Sequence, residues 1–515
     1  MSKYTHGILP DLVEGAANIF TRGKLVSPKY KRTAFPAWDV KLDDYVLFSN
    51  ANIIDVDQGR IEECRGILVR NGKIEKMLLQ NEVDDARKRY PVKKEVDCHD
   101  NYLMPGLSDT HAHISSLIES ISFKAIPYLQ QQREKNCEVA IQNGTTFIRD
   151  VGASETPKMY LRKEIEGTRL IGPTMITSYT AVIPKGGMWD YGKLINKIAE
   201  VALFGGKFLY FIKSRNELLE RLEHNMAIGA ELIKTYQEEK PLYGFKQDTI
   251  YKMWSMDDLR TIVEFAKKHQ KRIACHAMFI KGARMAIEAG VNSLEHMTVD
   301  SEYTLEDAEK MAEKNIAIVP TLGVGLYLAI ELGKQGYYND NDLQYFKEYR
   351  KKVAPRFIRD SVVPEFQAAY LNLAKNLDEG YKNNKMPMIG PIWPDRVTGF
   401  AHFVRKSFEN FRKAGVKVGI GTDGGLGISF TGLLEPELHL SNYLGYSVQE
   451  ILRMATLGNM EICGLEKERG SITTGKVADL LLLRSNPLDS LDNVRTIEKV
   501  FKDGRLYYQN ALSGK

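Results

Sequence analysis

Leu103-Met-Pro-Gly-Leu-Ser-Asp-Thr-His-Ala-His113 is a short apolar run that ends in two histidines, two residues apart. Side chains at i and i+2 of a strand share a face, so His111 and His113 can reach one metal ion. Such a pair alone is more often chance or two core histidines; the residues that follow give it weight. Lys234 ends Glu231-Leu-Ile-Lys, His276 ends Ile273-Ala-Cys-His, His296 ends Ser293-Leu-Glu-His, and Asp423 ends Val418-Gly-Ile-Gly-Thr-Asp. Each closes a short apolar segment.

Working outward, apolar β-like runs alternate with amphipathic helical ones, the pattern of βα units around a parallel sheet. Eight such runs can be counted: 103–113, 145–150, 169–177, 232–236, 272–276, 293–296, 317–322 and 417–423. Helices are expected at 256–269, with Ser255 as N-cap, and at 280–290 and 303–314. The pattern predicts an α/β fold, a (β/α)8 TIM-like barrel over residues 101–464, in which chemistry gathers at the C-terminal strand ends. A doubly wound sheet is the alternative, but no Gly-rich dinucleotide loop follows the first strand.

Long insertions are expected near 184–213 and 323–398, over the mouth of the site, where they would select substrate or contact another subunit. Short β runs fill both ends of the chain, with Asn71-Gly72 as a hairpin signal. Residues 41–100 and 465–515 are therefore expected to build one small β-sandwich domain, with 1–40 as an extension on the surface or on a partner subunit.

Composition narrows the function. Of 515 residues, 43% are hydrophobic and 27% charged, as in a globular enzyme. A net charge of +5, scattered along the chain, gives no reason to expect nucleic acid. The five cysteines form no CxxC pair and suit a reducing interior. The first residues lack an apolar signal core, and the apolar stretch 201–212 is short and broken by Lys207. A cytoplasmic protein with a small-molecule substrate, no membrane contact and a homo-oligomeric state is expected.

Four imidazoles and a carboxylate suit Zn²⁺ and related divalent ions, and are enough for two metals if something bridges them. Lys234 cannot be that bridge as an ammonium, which has no lone pair. Buried among cations its pKa falls, and a neutral amine can capture CO2 to become a carbamate, in effect a carboxylate.

The motifs Pro105-Gly-Leu-Ser-Asp-Thr-His-Ala-His, Gly144-Thr-Thr-Phe-Ile-Arg-Asp-Val-Gly, Gly229-Ala-Glu-Leu-Ile-Lys, Ala274-Cys-His-Ala, Gly290-Val-Asn-Ser-Leu-Glu-His and Gly421-Thr-Asp-Gly-Gly, in this order, resemble the amidohydrolase superfamily. The resemblance is to its imidazolonepropionase-like and carboxylated-lysine prolidase-like branch, over residues 45 to 510. It implies that His111, His113 and Asp423 hold one divalent ion, zinc first among the choices, and His276 and His296 a second. Carboxylated Lys234 and a hydroxide would bridge them, and Asp423 would serve as the catalytic acid and base. The implied activity is hydrolysis of an amide-type C–N bond in a dipeptide, an N-acyl amino acid or a cyclic amide.

Alternatives are a deaminase, a lactone or ester hydrolase or a decarboxylase on the same scaffold, and a silent relative that only binds partners. Deaminases of the superfamily carry His-x-x-Glu at the strand-five ligand, whereas Phe279 stands three residues after His276. The branch often has Gly-Gly-His after the third strand; here Gly186-Gly187 is followed by Met188-Trp189, so Trp189, with Trp393, can receive an apolar group. Tyr236, two beyond Lys234, is a candidate substrate contact. Cys275 should point away from the metals, His439 is read as structural, and Arg149 and Asp150 as a structural pair. His99, His224, His269 and His402 have no placement that recommends them.

Overall fold

A computed structural model describes residues 30–510 except 64, 115–127, 153, 191, 193–195, 197–206, 208, 242–248, 329–339, 366, 369–370, 372–393 and 425–428. Trp393, residues 1–29 of the extension and much of both insertions lie outside the described residues.

The chain ends form two sheets. One orders β5 (Lys73–Leu78), β4 (Gly66–Arg70), β1 (Tyr45–Ser49) and β6 (Val92–Asp97). The other orders β19 (Arg505–Gln509), β18 (Ile497–Lys502), β17 (Leu480–Leu483), β7 (Tyr102–Pro105), β2 (Asn52–Asp55) and β3 (Arg60–Ile61). Both bury residues in one apolar cluster, Val46, Phe48, Ile67 and Val69 from the first against Ile53, Leu103, Leu480 and Phe501 from the second. Asn71 and Gly72 both take positive φ between the antiparallel β4 and β5, the geometry of a tight hairpin. Ahead of these sheets, Arg32 donates to Glu134 and Glu164, and Phe35 packs edge-on against Tyr507, so residues 30–40 lie along their own chain.

The run 103–113, read above as one strand, is two. Residues Tyr102–Pro105 pair with β17, and only β8 (Leu107–Ala112) joins the parallel sheet. The break is at Gly106, where a Cβ would run into the Thr146 side chain. β8 pairs with β9 (Thr145–Asp150), and β9 with β10 (Thr174–Thr177), all in parallel. A second parallel sheet orders β12 (Leu209–Ile212), β11 (Ala181–Pro184), β13 (Leu232–Tyr236), β14 (Arg272–His276), β15 (Ser293–Glu295) and β16 (Ala317–Val319). β12 falls inside the segment expected to be an insertion, and the expected third run, 169–177, is strand only from Thr174.

The expected eighth run has no strand of its own, yet it lies between β16 and β8. Gly419 donates to Ile318 on one side; Thr110 donates to Ile420, and His113 to Gly424, on the other. Helices stand where the amphipathic pattern places them. The helix Met256–Lys268 is capped by Ser255 and buries Leu259, Ile262, Val263 and Ala266, the apolar stripe of a 3.6 period. The helix Ile280–Ala289 ends at Gly290 in the left-handed conformation, and Leu305–Glu313 starts from a Thr304–Asp307 capping box. Ile273, Cys275, Leu294 and Ile318 from the strands meet these helices in the largest core cluster, so Cys275 faces away from its neighbour His276, as expected. Among the described residues no helix is long and apolar enough to cross a membrane.

Candidate metal centre

β8, β13, β14, β15 and the 417–424 segment end around one buried group of side chains. His111, His296 and Asp423 each offer a ligand atom, all within 4.8 Å of one another. His113 Nε2 is 3.0 Å and His111 Nε2 3.3 Å from Asp423 Oδ1. The ring of His296 lies 4.6 Å from that of His111 and 4.6 Å from that of His276. Lys234 is buried beside them, its Nζ 5.2 Å from the centre of the Tyr236 ring. Tyr236 in turn stacks on His276 at 4.9 Å.

Alternation along strands explains most of this set, but not His296 and Asp423. Glu295 and His296 are neighbours, and a regular strand would send them to opposite faces. His296 instead has φ 73° and Asp423 φ 51°, so both side chains turn in, His296 just past β15 and Asp423 in the 417–424 segment. Non-glycine residues in this region are rare and cluster at functional sites. Gly421 permits the approach of this segment to β8, since a Cβ there would be 2.7 Å from His111 Cβ.

Three of the four imidazoles have one nitrogen hydrogen-bonded by the protein. His111 Nδ1 is 2.6 Å from Glu295 Oε2, His113 Nδ1 2.5 Å from the Gly152 carbonyl, and His296 Nδ1 2.7 Å from Thr321 Oγ1. His276 Nε2 lies 3.0 Å from Glu238 Oε2 without hydrogen-bonding to it; that oxygen accepts the Met278 amide at 2.9 Å. Burial would raise the Glu295 carboxyl, but Arg149 and His111 outweigh it and hold it below the usual range. An ionised Glu295 and a carbonyl only accept, so His111 and His113 carry their protons on Nδ1. Their Nε2 lone pairs then face the Asp423 carboxylate at 3.3 and 3.0 Å.

Lone pairs converging on a carboxylate repel unless a cation sits among them. His111 Nε2, Asp423 Oδ1 and Lys234 Nζ are accordingly buried without a hydrogen-bond partner among the described residues. Burial pushes His276 and His296 well below the usual histidine range, leaving them neutral as metal ligands require. The donor set fits divalent metal.

The remaining expectations sort clearly. Trp189 and Tyr236 pack against one apolar cluster with Ile183, Met188 and Leu209, beside His276. Arg149 and Asp150 are not a pair. Adjacent strand residues face opposite ways, so Arg149 binds Glu295 at 2.8 Å, while Asp150 binds Lys158 at 2.7 Å. His439 meets Asp492 at 3.4 Å, and His99 and His224 meet Asp97 and Glu155. His269 stacks on Phe265, and His402 packs against Phe403. Glu295 was missed as the partner of His111, although it adjoins His296; only its spacing from Ser293 hinted at an inward face.

Parallel strands that present imidazoles, a buried lysine and a carboxylate at their C-terminal ends define an α/β protein with a candidate metal-binding site. The chain belongs to the amidohydrolase family, whose model matches residues 102–507. It is 23% identical over 425 residues to ochratoxinase from Aspergillus niger, covering 79% of this chain and 75% of that protein. The crystal structure of the A. niger ochratoxinase superposes with a TM-score of 0.64 at 21% identity, over 90% of this chain and 96% of the other. That of a Xaa-Pro dipeptidase with methionine bound in its active site gives 0.63 at 20% identity, over 91% and 100%. Membership of the amidohydrolase family supports the reading of the protein as an enzyme.

Proposed function

We propose that the protein hydrolyses an amide-type C–N bond of a small molecule at a centre of two divalent ions, zinc being the first candidate. The observation that carries this reading is the convergence of the His111 and His113 Nε2 atoms on Asp423 Oδ1, at 3.3 and 3.0 Å, in a buried site. His111, His113 and Asp423 would hold one ion, His276 and His296 the other, and Lys234, as a carbamate, both. Burial lowers the Lys234 pKa to about 8, which supports the amine that carbamate formation needs. The bound ions supply an acidified water and polarise the substrate carbonyl.

The chain's own groups do the rest. Asp423, anionic and held by its neighbours, accepts a proton from the attacking water and returns it to the departing nitrogen. Glu295 and the Gly152 carbonyl hold the His111 and His113 rings in one tautomer. Tyr236 and Trp189, with the apolar residues beside them, receive an apolar part of the substrate and exclude water from it. The names of the relatives, an ochratoxinase and a Xaa-Pro dipeptidase, support amide hydrolysis without fixing a substrate.

The same reading takes the two parallel sheets, with 417–424 between β16 and β8, as the wall of a (β/α)8 barrel over residues 101–464. Residues 41–100 with 465–515 would then be its β-sandwich companion, in a cytoplasmic homo-oligomer. The test is metal analysis with a screen of dipeptides, N-acyl amino acids and lactams. About two divalent ions per chain and turnover lost in His111→Ala and Lys234→Ala are expected. A metal-free protein after zinc-supplemented expression, or full activity in either variant, would reject the reading.

A further inference from the structure

Glu437 stands on the helix Glu435–Tyr443, and its side chain is buried. It reaches across to a different element. Its Oε2 accepts the Leu322 amide at 2.9 Å and its Oε1 the Gly323 amide at 2.6 Å. These are the first residues of the helix Leu322–Leu328, so one carboxylate satisfies two of the amides that a helix N-terminus leaves open.

The residue just before that pair is Thr321. Its φ is 46°, a conformation a β-branched residue adopts only when its surroundings impose it. In that conformation its Oγ1 stands 2.7 Å from His296 Nδ1. The amide of His296 is itself bonded to Val319, two residues upstream of Thr321. The turn that follows β16 is thus fixed at one end by His296 and at the other by Glu437.

We infer that Glu437 is a positioning residue for the metal centre: by clamping the amides of Leu322 and Gly323 it holds Thr321 in the strained turn that orients His296. Burial pushes the Glu437 carboxyl up to about 8, while the two backbone amides it accepts oppose the shift. Second partners of metal-bound histidines contribute to affinity, and loss of one lowers it by roughly 10- to 100-fold.

This inference rests on the metal reading above, and zinc titration of the metal-free full-length chain against a competing chelator tests the two separately. Glu437→Gln, which keeps the shape but opposes an NH2 to a backbone amide, is expected to weaken the zinc site by roughly 10-fold or more. Thr321→Val is expected to do the same. The double variant should bind no more weakly than Thr321→Val alone, because both act through one contact. A Glu437→Gln protein that melts earlier but binds zinc like the parent would make Glu437 a helix cap only and overturn the inference. Should that variant not fold, Thr321→Val decides, parental affinity again overturning it. His296→Ala keeps the readings apart: undiminished zinc stoichiometry there sinks the metal reading itself, whereas its loss beside a normal Glu437→Gln sinks only the positioning role.

Discussion

His111 Nδ1 and Glu295 Oε2 lie 2.6 Å apart with both side chains fully buried, and the same carboxylate receives Arg149 at 2.8 Å. One acid therefore balances a buried guanidinium and selects the tautomer of a metal-ligand candidate. Glu295→Gln leaves Arg149 as an uncompensated buried charge, a change that costs about 3 to 5 kcal/mol. It also lets the His111 ring present either nitrogen. The variant is expected to unfold at lower denaturant and to bind zinc roughly 10- to 100-fold more weakly. Denaturation and zinc titration within error of the parent would show that Glu295 does neither.

Gly421 gives a steric test of the approach between the 417–424 segment and β8. A methyl group there would be 2.7 Å from His111 Cβ, His111 N and Val319 Cγ1, so Asp423's segment must move outward. Gly421→Ala is expected to destabilise by about 1 to 3 kcal/mol, as overpacking does, and to lose zinc and activity with it. Gly415→Ala is the control: its φ of 73° strains the backbone, but nothing lies within 4 Å of the added methyl. It should cost about 1 to 2 kcal/mol and keep the metal. Equal zinc affinity in the two variants would refute the steric argument.

The ligand candidates were legible because five of the six end apolar runs, and the α/β class because β and helical periods alternate. What the sequence hid was the backbone at the ends of those runs. Period-2 alternation assigns Glu295 and His296 to opposite faces, and only the positive φ of His296 brings both to His111. Alternation did contain the answer for Arg149 and Asp150, which face different partners because they are adjacent. Gly106 divides an uninterrupted apolar run between two sheets through one close contact with Thr146, a tertiary fact no local pattern encodes. Glu437 is further from reach still, since its amide partners lie 115 and 114 residues away.

Metal removal should act on stability as well as activity. Neutral His276 and His296 with anionic Asp423 are arranged for a cation, so the folded chain binds it in preference to the unfolded one. Dialysis against a chelator is expected to lower the thermal midpoint, and zinc at a hundred times its dissociation constant to restore about 2.7 kcal/mol. Calorimetry of the two forms checks this. A midpoint indifferent to zinc would mean that the site is not built for metal.

In the proposed centre Lys234 would tie metal binding to CO2 through its protonation. Burial depresses its pKa to about 8, with Glu295 and Asp423 opposing the shift. Below that value Nζ is an ammonium with no lone pair; above it the amine is free to attack CO2. Carbamate formation should therefore rise as pH passes upward through about 8, the sign opposite to that of a group needing its proton. Reconstitution of the metal-free enzyme with zinc is expected to speed up with added bicarbonate, and more so at pH 8.5 than at 7 (roughly a tenfold difference in free amine for each pH unit well below the pKa). Labelled bicarbonate should give a carbamate carbon signal that Lys234→Arg lacks. Full activity recovered in CO2-free buffer, with no such signal in the active protein, would assign Lys234 a role without carboxylation.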